Sequence, residues 1–129
     1  MGLFDRFLHR DDSKKAMRDY VRKLEDEIGK IKAEAASIDA EEKRLKRALD
    51  ECIQDIKKME KYAMRAEKAG NDADAQKFRD QVDKLASQRE RLENEYQYVA
   101  DKAKKLRAVR DKLADDMKEI DMMRKEDRW

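Results

Sequence analysis

Half of the 129 residues are charged, proline is absent and glycine occurs three times, so the chain lacks the turn residues that a compact globule of this length needs. Its 33 Lys and Arg nearly balance 31 Asp and Glu for a net charge of +2, which does not fit a strongly basic nucleic-acid binder, and a lone cysteine rules out an internal disulfide. No stretch approaches the roughly 20 apolar residues that cross a bilayer, and no cleavable secretory signal is evident; both point to a reducing, cytoplasmic setting.

Residues 1–12 differ in kind from the rest. Leu3, Phe4, Phe7 and Leu8 share one side of a short helix, with Asp5, Arg6, His9 and Arg10 on the other. Two phenylalanines opposite arginines is the pattern of a segment that lies in a membrane interface. Asp5, Asp11 and Asp12 dilute the positive charge, so the intrinsic lipid affinity of this foot should be weak. A second reading has it fold over the end of the molecule and pack with Met122, Met123 and Trp129.

From Ser13 to Ala69 an apolar seam advances by alternating steps of four and three residues: Met17, Val21, Leu24, Ile28, Ile31, Ala35, Ile38, then Leu45, Leu49, Cys52, Ile56, Met59, Ala63 and Ala66. Glu42 is its one polar break. A mean step of 3.5 residues is the heptad period that keeps one stripe of a helix facing a partner helix, and a period sustained this long argues against disorder despite the charge.

The seam stops at Gly70, Asn71 and Asp72, the expected turn over 70–72. Glycine suits the left-handed position that ends a helix, while Asn71 or Asp72 can cap the next one and Asp72 and Asp74 favour its positive end.

A second arm is expected over 73–127, with its seam at Ala75, Phe78, Val82, Leu85, Arg89, Leu92, Tyr96, Val99, Ala103, Leu106, Arg110, Leu113, Met117 and Ile120. Folding at Gly70 brings Ala63 near Phe78, Met59 near Val82, Leu49 near Leu92, Ile28 near Leu113 and Val21 near Ile120. Arg89 then falls near Cys52 and Arg110 near Ile31; arginine can lay its stem on a seam while its head reaches water. The expected fold is all-α: a long antiparallel coiled-coil hairpin preceded by a short amphipathic helix. Tyr20, Ile53, Tyr62, Met64, Tyr98, Val109 and Met123 lie beside the seam and either widen it or form a second face for a neighbouring rod. A two-helix rod has no thick core, which favours partner helices.

Catalysis has little to stand on. His9 is the sole histidine, and there is no Gly-rich phosphate loop and no Cys-x-x-Cys pair, so no cofactor or metal is expected and the chain is read as a non-enzyme. Lys43-Arg44-x-Lys46-Arg47 and Lys102-x-Lys104-Lys105-x-Arg107 are locally basic, but acids interrupt both, and nucleic acid is not an expected partner.

The opening Met1-Gly2-Leu3-Phe4-Asp5-Arg6-Phe7 resembles the Met-Gly-Ile-Phe-x-Arg-Phe start of the phage shock protein A family, whose relatives include the vesicle-inducing protein of plastids. The likeness runs on through Tyr20-Val21-Arg22-Lys23-Leu24, Glu41-Glu42-Lys43-Arg44-Leu45 and Met59-Glu60-Lys61-Tyr62-Ala63-Met64-Arg65-Ala66-Glu67. The resemblance implies a peripheral membrane protein of the bacterial ESCRT-III-like superfamily on the inner face of the cell membrane. Leu3, Phe4, Phe7 and Leu8 would insert, Arg6 and Arg10 would meet phosphates of anionic lipids, and the hairpins would form homo-oligomers or co-assemble with related hairpin proteins to support or remodel membranes under envelope stress. Met59 stands where the family places a tryptophan used against an AAA+ activator, so that regulation does not carry over. The alternative is a soluble coiled-coil adaptor without membrane contact.

Overall fold

The computed structural model describes residues 13–126; the foot at residues 1–12, with Leu3, Phe4, Arg6, Phe7, Leu8 and Arg10, and Trp129 lie outside the described residues. Two helices account for nearly all of it: α1 (Ser13–Lys68, 56 residues) and α2 (Asp72–Lys125, 54 residues). Neither contains proline, and among the described residues there is no strand.

The joint between the helices follows from local chemistry. Gly70 has φ of +74°, the left-handed conformation that costs an L side chain its Cβ clearance. Its amide donates to the Glu67 carbonyl (3.0 Å) and the Asn71 amide to the Ala66 carbonyl (2.9 Å), the paired reverse bonds of a Schellman C-cap. Asn71 then serves α2: its Oδ1 accepts from the Asp74 amide (3.2 Å), its Nδ2 donates to the Asp74 carboxylate (2.7 Å), and its carbonyl accepts from Ala75 (3.0 Å). Asp72 is thus the first residue of α2. Arg65 and Lys68 in the last turn of α1, and Asp72 and Asp74 in the first turn of α2, match the helix dipoles.

The chain divides into two compact units. One spans Ile38–Lys102 and contains the turn, so its two helical stretches run antiparallel. Leu45, Cys52, Ile56, Ala63 and Ala75 are buried in it. Ile38, Leu49, Met59, Phe78, Val82, Leu85, Leu92 and Val99 are half-buried along the same seam. Its core is a stripe rather than a thick interior, because each helix offers only one face to a single partner.

The other unit joins the first part of α1, through Ser37, to α2 from Ala103 onward. Met17, Val21, Leu24, Ile28, Ile120 and Met123 form its buried cluster, with Tyr20, Leu113 and Met117 packed against it. Ala35 and Ala103 are also buried, and Ile31 and Leu106 are half-buried. Arg124 reaches Glu25 across the two helices (3.6 Å).

Candidate functional site

The residues beside the seam divide. Met64, Tyr98 and Val109 are exposed, whereas Met123 joins the core and Tyr20, Ile53 and Tyr62 are half-buried. Tyr62 is held by Phe78, with ring centroids 5.5 Å apart and the planes tilted by 56°. Part of the flanking apolar set therefore widens the intramolecular stripe, and part faces outward.

Of the three polar positions of the seam, Glu42 is half-buried, and the two arginines have defined partners. Arg89 lays its guanidinium on Glu93 one turn along α2 (Nε to Oε1, 3.0 Å), and Arg110 contacts Asp111 (3.3 Å), so both charged heads are engaged by acids of their own helix. Cys52 is buried, and its thiol donates to the Leu85 carbonyl (3.3 Å), a carbonyl that also serves the Arg89 amide in a regular α-helix. Among the described residues no buried side-chain nitrogen or oxygen lacks a partner.

Shallow grooves mark the unit that holds the turn, and three of them have well-defined linings. In the first, Lys46 places its ammonium 5.7 Å from the centre of the Tyr96 ring, beside Glu42, Lys43 and Arg47. The second is floored by Ala63 and Val82 and flanked by an Arg79–Glu67 ion pair (2.7 Å) that ties the helices together. The third has Met59 and Phe78 at its base with Lys77 and Lys84 beside them. Sequence periodicity did not disclose these pairings, because Lys46 with Tyr96, and Arg79 with Glu67, depend on the register of one helix against the other. The matching of the two seams was the only signal that could have found them.

One charge pair on α1 has a resolved electrostatic effect. Hydrogen bonding from Arg44, whose Nε lies 3.0 Å from Oε2, holds the Glu41 carboxyl below its ordinary value, and the same bond raises Arg44. Among the described residues no group of three or more His, Cys, Asp or Glu is arranged to hold a metal ion, and no helix is long and apolar enough to cross a membrane. What the described residues offer is a charged, grooved surface built on a seam, an arrangement suited to binding.

No protein-family model matches the chain, and no solved structure matches it. It is 39% identical over 111 residues to the phage shock protein A homolog of Bacillus subtilis (strain 168), a match covering 86% of this chain and 49% of the relative. The chain thus spans about half the length of that relative. At 39% identity over 86% of its length, the chain belongs to the phage shock protein A family.

Proposed function

We propose that this protein is a peripheral, membrane-associated structural component of the envelope stress response, acting at the inner face of the cell membrane. In this reading Leu3, Phe4, Phe7 and Leu8 insert at the interface, Arg6 and Arg10 meet anionic headgroups, and the coiled-coil hairpin is the unit of self-assembly or of co-assembly with related proteins. The observation that carries the reading is the 39% identity to a phage shock protein A homolog over 86% of the chain. The amphipathic opening supports it, since two aromatic side chains on one face and arginines on the other suit the headgroup boundary. The two long helices, 56 and 54 residues, support it in turn, because each carries a sustained apolar stripe of the kind that packs helices side by side.

The test is flotation with phosphatidylglycerol vesicles followed by electron microscopy of the same sample. The full chain is expected to float and to show ordered assemblies on the vesicles, and Phe4→Asp combined with Phe7→Asp is expected to lose most of that binding. Equal flotation of the double variant would remove the foot from the mechanism. A tryptophan emission from Trp129 that is already blue-shifted and indifferent to lipid would favour a soluble adaptor.

A further inference from the structure

Along α1 in the unit Ile38–Lys102 exposed cations outnumber exposed acids, although the chain as a whole is nearly neutral. Lys43, Arg44 and Arg47 form one exposed group, and Lys57, Lys58, Lys61, Arg65 and Lys68 a second; Asp50, Glu51 and Asp55 are exposed acids between them, and Glu60 is an exposed acid within the second group. The second group breaks the pattern seen elsewhere. Lys57 to Lys61 and Lys61 to Arg65 are like charges four residues apart, and Lys58 to Lys61 and Arg65 to Lys68 are like charges three apart, all of which weaken a helix standing alone. The dipole at the end of α1 accounts for Arg65 and Lys68 but not for Lys57, Lys58 and Lys61. Nearby Glu67 is engaged by Arg79 of α2. Met64, 56% exposed, lies among these cations, between Lys61 and Lys68 on the helix surface.

We propose that this face of α1 is a second bilayer contact, a cationic track that binds the anionic phospholipid surface independently of the N-terminal foot. The inference rests on the membrane reading above and adds the surface that strengthens it. On the outward side of α2 in the same unit, Lys77, Lys84 and Arg91 are interleaved with Asp80, Asp83 and Glu90, so that face of a second copy is not a matching acidic track. From Lys43 to Lys68 the track runs about 37 Å at 1.5 Å per residue. A plane of headgroups can meet that whole length, whereas a duplex admits a helix only across a groove about 12 Å wide. Met64 supplies an apolar side chain for the interface, and a weak foot joined to a polybasic patch is the two-signal combination that gives stable anchoring.

The test compares flotation on phosphatidylglycerol and phosphatidylcholine vesicles for the full chain, for Lys57→Gln with Lys61→Gln and Arg65→Gln, and for Phe4→Asp with Phe7→Asp. Far-UV circular dichroism checks that the glutamine variant keeps its helix, which relief of like-charge repulsion favours. The glutamine variant is expected to bind phosphatidylglycerol about tenfold or more weakly and to show a shallower salt dependence, with phosphatidylcholine unaffected. Unchanged affinity for phosphatidylglycerol overturns the track even if the foot variant loses binding, and the membrane reading then stands on the foot alone. Loss by the glutamine variant with retention by the foot variant supports the track and sinks the foot. If the substitutions weaken binding to duplex DNA and leave vesicle binding intact, the track belongs to nucleic acid and the proposal fails.

Discussion

At the scale of single residues, stability is concentrated where the seam is closed on all sides. Leu45 is 1% exposed between the helices, and removing its branched end leaves a void that two helices have few neighbours to refill. Leu45→Ala is expected to lower unfolding stability by about 2–4 kcal/mol in a urea titration. Tyr98→Ala, at a site 70% exposed, should shift it by no more than about 0.5 kcal/mol. Glu41 carries a small pH dependence of known sign. Its carboxyl sits below the ordinary 4.5 because Arg44 hydrogen-bonds the charged form, so its contribution is fully present above that value and is lost as pH falls through the depressed one. Thermal melts of the native chain and of Glu41→Gln should therefore differ at neutral pH and converge in acid.

At the scale of elements, the two interior glycines of the described residues have opposite meanings. Gly70 has open space around it, yet its φ of +74° is closed to an ordinary L residue without strain, so Gly70→Ala should cost about 1–2 kcal/mol. Gly29 lies inside α1 with nothing within 4 Å of an added Cβ, and no close helix approach requires it. Gly29→Ala should stabilise the protein by about 0.5–1 kcal/mol through helix propensity alone. Denaturation midpoints of the two variants should move in opposite directions from the native value. The turn was legible because Gly70, Asn71 and Asp74 each answer a local need of the backbone, one for a left-handed residue and two for a reciprocal cap. Much less legible was which side chains beside the seam would be covered. Met122 and Met123 are neighbours of one residue type, and one is 61% exposed while the other is 8% exposed, a difference set by what the opposite helix brings to each position.

At the scale of the whole molecule, the charge pattern has two uses. Along most of both helices, opposite charges are interspersed and serve mainly to solvate the surface. On the outer side of α1 between Lys43 and Lys68 cations outnumber acids, with like charges three and four residues apart between Lys57 and Lys68, a cost to the helix that the proposed contact with an anionic surface would repay. The two flotation experiments described above separate a contribution of the foot from one of this track, since each set of substitutions leaves the other contact intact.

The amino-acid sequence by itself determined that the described residues are all-α and turn once, since a period of 3.5 residues, a left-handed glycine and a capping residue at Asn71 or Asp72 are local properties of the backbone and its side chains. It also carried the family likeness in its opening residues. Only the tertiary structure decided that the Cys52 thiol bonds the Leu85 carbonyl, that Tyr62 stacks obliquely on Phe78 while Tyr98 faces solvent, and that Glu67 is taken by Arg79 rather than by the lysines of its own helix. The reason is geometric: periodicity fixes the angle at which a side chain leaves its helix, and only the register against the second helix fixes what it meets.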